Sequence, residues 1–102
     1  EWRYAYGLEW ELLEREQHIK MKDFVRDLNY LYKDEKSLYE IDNSYEGFDF
    51  IDPHNEEQSI VTLMRKGKDE NEFLICVLNF TPVVHYDYNV GVPYLGEYEE
   101  IF

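Results

Sequence analysis

The chain has 102 residues, of which 44% are hydrophobic and 18% aromatic, with 10 Lys+Arg against 23 Asp+Glu for a net charge of -13. That length holds one domain or one and a fraction, and the apolar content suffices for a core, which argues against intrinsic disorder. The charge repels a phosphate backbone and an anionic membrane surface, so nucleic acid and membrane are excluded as partners, whereas a neutral ligand such as a polysaccharide is not.

In chain order, "EWRYAYGLEW" (Glu1–Trp10) has no clean period and is expected to be an aromatic-rich loop. From about Glu14 to Lys33 the spacing predicts a helix, with Met21, Phe24, Val25, Leu28, Leu31 and Tyr32 recurring every three or four residues as one apolar stripe. Fully burying each such side chain is worth about 1.5–3 kcal/mol, so the stripe is expected to be covered, by the sheet or by another copy. A second short helix is expected over Glu35–Tyr39 with Asp34 as its N-cap.

From Gly47 the period turns strand-like. "GFDFID" alternates Phe48 and Phe50 with acids, "SIVTLMRK" (Ser59–Lys66) is a strand, and "GKDENE" is a polar turn. "FLICVLNF" (Phe73–Phe80) is apolar on both faces, the mark of a central strand covered on both sides. Thr81-Pro82 breaks that run and makes a corner to a neighbouring strand, "VVHYDYNV", with "GEYEEIF" starting another. The expected fold is therefore α+β: a loop and helices, then an antiparallel sheet forming part of a β-sandwich.

Chemistry-bearing motifs are sparse. Cys76 cannot close an internal disulfide, and it is expected to be a buried small side chain in a reducing compartment. No stretch has the length of a membrane span or the pattern of a signal peptide, which makes the cytoplasm the expected compartment. His18, His54 and His85 have no partner at metal-ligand spacing, and "DPHNEE" and "KDENE" read as solvated turns and not as calcium loops. Carboxylates are abundant, but no two are singled out as a pair that straddles a glycosidic bond. Trp2, Tyr4, Tyr6 and Trp10 offer flat faces that suit pyranose C–H groups. Packing is the better reading for Trp10, while for Trp2 and Tyr4 both readings stay open.

Taken together, "EWRYAYGLEWELLE", "HIKMKDFVRDLNYLYKDEKSLYEID", "GFDFID", "SIVTLMRKGKD", "LICVLNFTPV" and "YNVGVPYLGEYEEIF" resemble, in order and over essentially all 102 residues, the C-terminal part of bacterial 1,4-α-glucan (glycogen) branching enzymes of the α-amylase clan. Glu9 stands where that family usually has Asp, and Phe50 where it usually has Trp; both changes are conservative. The resemblance implies that residues 1–39 are the tail of a catalytic (β/α)8 barrel. Residues 40–102 would be the first part of the all-β C-terminal domain. Together with the lack of an initiator Met, this points to a segment of a longer chain.

In such enzymes the nucleophile Asp, the acid/base Glu and the third Asp stand at barrel strand ends upstream of Glu1. The segment alone is thus expected to be structural and inactive, while the parent transfers an α-1,4-glucan segment to a C6 hydroxyl by retaining double displacement, without metal or organic cofactor. Trp2 and Tyr4 would follow the last barrel strand and serve as substrate-binding residues on the active-site rim. The partner implied is an α-glucan. A sheet ending at Phe102 is further expected to self-associate through its exposed edge and inner face. A stand-alone carbohydrate-binding module and a pure interaction domain are the other classes the residues allow.

Overall fold

The computed structural model describes residues 4–102. Those up to Leu31 belong to one compact unit, and Tyr32–Phe102 form the second.

A single 3-10 segment, Trp10–Glu14, precedes helix α1, Glu16–Asp34, whose last three residues belong to the second unit. Extended Arg15 (φ -94, ψ 127) separates the two. The helix expected from the apolar spacing is therefore present, within two residues at each end. Its polar face is tied by ion pairs one turn apart: Lys20 to Glu16 at 2.6 Å, and Arg26 to Asp23 at 2.7 Å. Arg26 also bonds Asp27 at 3.0 Å; this bond, helped by Asp23, raises the guanidinium pKa above its ordinary value. Met21, Phe24, Val25, Leu28 and Tyr32 of the apolar stripe lie open to solvent, from 62% at Met21 to 37% at Leu28, and Leu31 is half-buried.

Asp34 is not an N-cap but the last residue of α1, and the expected second helix is one 3-10 turn, Lys36–Leu38. Glu35 is extended (φ -95, ψ 104), so the direction changes there and a single turn is completed before Tyr39. A second 3-10 turn, Tyr45–Gly47, is capped by Ser44, whose Oγ accepts the Glu46 N–H at 3.2 Å. Gly47 has no alternative: a Cβ there would sit 2.4 Å from the Ile41 carbonyl oxygen.

Three strands follow, β1 (Phe48–Asn55), β2 (Ile60–Lys66) and β3 (Phe73–Asn79), in an antiparallel sheet of order β1-β2-β3. The register of β1 slips on either side of Asp52, next to Pro53, which has no N–H for the ladder. Between β2 and β3 the Gly67 N–H donates to the Glu72 carbonyl at 2.8 Å. Strand alternation puts Ile60, Thr62, Met64 and Lys66 on one face with Phe73, Ile75 and Val77. Val61, Leu63 and Arg65 share the other face with Leu74, Cys76 and Leu78. Burial is deepest on β2, at Ile60 (3% exposed) and Thr62 (2%).

The α+β expectation holds, but two strand assignments do not. β3, expected at the centre, is an edge strand, and the central place belongs to β2. "VVHYDYNV" and "GEYEEIF" form no strand; among the described residues nothing after Asn79 joins a sheet. The Asn79 side chain causes the departure. Its Oδ1 accepts from the Thr81 N–H and hydroxyl, each at 2.9 Å, and its Nδ2 donates to the Val83 carbonyl at 2.7 Å. The corner at Asn79–Pro82 thus turns the chain out of the sheet. The remaining residues run as an irregular strap from the β1–β2 turn back to the start of β3. Tyr88 bonds Asn55, Gly91 passes the Ile51 side chain, and Tyr94 and Tyr98 meet the Phe73 ring at 5.6 and 6.1 Å.

On the opposite face the Lys36–Gly47 segment is fastened by charge. Arg65 donates to the Leu38 carbonyl at 3.1 Å and pairs with Asp42, Lys36 meets Glu72 at 3.3 Å, and the Glu40 carboxylate accepts the Lys68 N–H at 3.1 Å. Cys76 lies half-buried on that face. Burial pushes its thiol pKa up, and the Arg65 charge partly offsets the rise.

Candidate functional site

The turn after β1 builds one wall of a cleft. The register of β1 shifts between Asp52 and Asn55, and after Asn55, still paired with Ile60, the turn residues hydrogen-bond locally. Asn55 organises them: its Oδ1 accepts the Gln58 N–H at 3.3 Å, and its Nδ2 donates to Gln58 Oε1 at 2.8 Å and to Tyr88 Oη at 3.0 Å. Ser59 closes the turn with φ 54, in the left-handed region.

The strap supplies the other wall. Asp87, also left-handed at φ 53, reverses the chain and brings the His85 and Tyr88 rings edge-to-face at 6.2 Å. Between the walls lies an open cleft of about 620 Å³ lined by Asp52, Asn55 and Gln58 on one side and Val84, Tyr86, Asp87, Tyr88 and Asn89 on the other. His85 also lines it, and its Nε2 is buried without a hydrogen-bond partner. The Tyr86 ring stands 85% exposed at the rim. Among the described residues no three of His, Cys, Asp or Glu converge as metal ligands. What the cleft offers is the Asp52 and Asp87 carboxylates, phenols and the Gln58 amide, since both Asn55 side-chain N–H groups are taken up by Gln58 and Tyr88.

Neither wall was singled out by sequence reasoning as a site. "DPHNEE" reads as a solvated turn, and Tyr88 lies 33 residues from Asn55, so their meeting has no local signature. The amides at Asn55 and Gln58, three residues apart in a turn, were the one available cue. Of the two residues expected to bind substrate, Trp2 lies outside the described residues, and Tyr4 stands in a turn, fully solvent-exposed at 103%.

Residues 50–102, which include β2, β3, both walls of the cleft and the strap, match the alpha amylase C-terminal all-beta domain family. The chain belongs to that family. Beyond this C-terminal all-beta domain, similarity extends through helix α1 to the whole chain. The chain is 51% identical over 102 residues to the 1,4-alpha-glucan branching enzyme GlgB of Halothermothrix orenii, covering 100% of this chain and 16% of that protein. The corresponding enzyme of Oceanobacillus iheyensis is 46% identical over 102 residues, with the same coverage of each chain. That of Aquifex aeolicus is 46% identical over 101 residues, 99% of this chain and 16% of its own. The chain therefore spans about one sixth of the length of these relatives, and the resemblance read from the sequence holds over all of it. No helix of the described residues is long and apolar enough to cross a membrane.

Proposed function

We propose that the chain is the C-terminal part of a 1,4-alpha-glucan branching enzyme of glycogen biosynthesis, acting in the cytoplasm on α-glucan. The observation that carries this reading is identity of about half over the full chain with branching enzymes six times as long. The parent enzyme cleaves an α-1,4 linkage through a glycosyl-enzyme intermediate and passes the segment to a C6 hydroxyl in place of water. The chain itself is structural and non-catalytic. Residues 1–39 complete the barrel, and residues 40–102 begin the all-β domain; the open apolar face of α1 supports that division, being suited to cover by further protein. Trp2 and Tyr4 stand at the rim of the parent's active-site face, where they contact the glucan.

Replacing the matching stretch of the Halothermothrix orenii enzyme by this chain tests the reading. Branching, followed by the iodine spectrum of amylose, is expected to survive the exchange. The chain alone is expected to leave the spectrum unchanged. A folded chimera without branching activity overturns the proposal, as does a fall in absorbance with the chain alone.

A further inference from the structure

We infer that two copies of the 102-residue chain pair through α1, their apolar stripes laid antiparallel against each other. The pairing does not depend on the function proposed above. In a longer chain the barrel that residues 1–39 are proposed to complete would meet the same stripe; in this chain a second copy takes its place.

Spacing and charge both favour that occupant. Met21, Phe24, Leu28 and Leu31 recur at intervals of three, four and three residues, the apolar spacing of a two-helix seam. Val25 and Tyr32 widen the seam on one side, and both are exposed, as Met21 and Leu28 are. α1 carries four Asp or Glu and four Lys or Arg, so it has no net charge, and the whole -13 of the chain lies outside it. Two copies that approach through the acidic remainder repel each other; two that approach through α1 do not.

The flanks of the seam set the orientation. With Phe24 level with Leu28 of the second copy, an antiparallel pair brings Lys20 beside Asp34 of that copy, and two-fold symmetry does so twice. Lys20 is exposed, and its pairing with Glu16 lies one turn away on the same helix, so its ammonium can bridge both carboxylates. Asp27 meets its own counterpart at the two-fold axis, where each is held by Arg26 at 3.0 Å. A parallel pair would set Lys20 beside Val25 and Asp27 beside Tyr32, with no charge pair between the copies. The seam from Met21 to Tyr32 is about 16 Å long, or about three turns, so association is expected between micromolar and millimolar protein.

Sedimentation equilibrium of the chain over that concentration range is the test, and a monomer–dimer equilibrium is expected. Leu28→Lys keeps a good helix former in α1 and should raise the dissociation constant about a hundredfold, with far-UV circular dichroism showing that the helix persists. Lys20→Glu and Asp34→Lys should each raise it about tenfold, because each sets like charges side by side. The double variant, Lys20→Glu with Asp34→Lys, should recover the original value. Recovery isolates the contact between copies, since the double variant keeps both changes within each helix. A monomer at millimolar concentration overturns the pairing, as does a dimer indifferent to Leu28→Lys. A double variant as weak as either single one overturns it too, because the antiparallel register is what places residue 20 beside residue 34. Sedimentation reads mass and the chimera assay reads branching, so either can fail without the other.

Discussion

The two faces of the sheet are covered by different physics. On the Arg65 face the chain before β1 is fastened by charge: Arg65 to Asp42 and the Leu38 carbonyl, Lys36 to Glu72, Glu40 to the Lys68 N–H. On the Phe73 face the chain after β3 is laid down by aromatic rings and one amide, with Tyr94 and Tyr98 against Phe73 and Asn55 on Tyr88. Charged fastening is directional and fixes backbone positions, so it suits a short connection that must enter β1 at a tight glycine. Ring contacts tolerate displacement, and the residues they hold adopt no regular structure. The difference explains why the cleft occurs on the strap side, where the chain was not drawn into a ladder.

Both covers depend on β2, and the largest effect is expected there. Ile60→Ala removes the best-buried apolar side chain of the described residues and should cost about 2–5 kcal/mol, read as a lower urea midpoint. If strap and sheet are one cooperative structure, amide protection should fall together in β2 and at residues 84–98. A strap that loses protection alone would separate the two. Next in size is the charged face. Arg65→Ala leaves the Leu38 carbonyl and the Asp42 carboxylate without their donor and should cost about 1.5–3 kcal/mol, as for hydrogen bonds to charged groups. Arg65→Lys should recover only part, because one ammonium cannot copy the planar fork. Full recovery would show that charge alone, without geometry, holds this face.

Hydrophobic period located α1 and the three strands. A helix or strand with one apolar side repeats it at a fixed spacing whether or not that side ends up covered, as the open stripe of α1 shows. Period does not report pairing. "FLICVLN" is apolar on both faces, yet β3 is an edge strand: Phe73 is covered by the strap rings, and Cys76 lies on the face that carries Arg65. "VVHYDYNV" alternates as a strand should, but Asn79 and Pro82 steer it off the sheet before it can pair, and Asp87 takes a left-handed turn in its middle. Those decisions lie in single polar side chains outside the run. The cleft was still less legible, since its walls are joined by a hydrogen bond between residues distant in sequence.

The strap contacts are individually weaker. Tyr94→Leu keeps apolar bulk but removes the ring that meets Phe73 at 5.6 Å, and a loss of about 0.5–1.5 kcal/mol is expected, the range for an aromatic pair. Salt sharpens the contrast between the faces. Raising ionic strength should weaken Arg65-face contacts, which are partly exposed ion pairs, and leave the Tyr94 increment unchanged. A Tyr94 effect that shrinks with salt would contradict the division.

The smallest effect concerns the turn between β2 and β3. Asp69 Oδ1 accepts the Asn71 N–H at 2.9 Å and the Asn71 side-chain amide at 3.0 Å. These bonds, the backbone one first, lower the Asp69 pKa below its ordinary 3.8, against slight desolvation and with minor help from Lys36. A carboxyl lowered in the folded state adds stability that is complete above its unfolded value and is lost as pH falls through the folded one. The contribution should therefore persist to about pH 3.8 and fade below it. It should be small, because the turn is exposed and solvent screens it. Carboxyl-carbon NMR of Asp69 should show a midpoint below 3.8. Asn71→Ala deletes the side-chain bond but keeps the backbone donor, so the midpoint should move only part of the way back. A complete return to the ordinary value would mean that the side-chain amide, and not the backbone N–H, holds the carboxylate, and the assigned order of causes would fail.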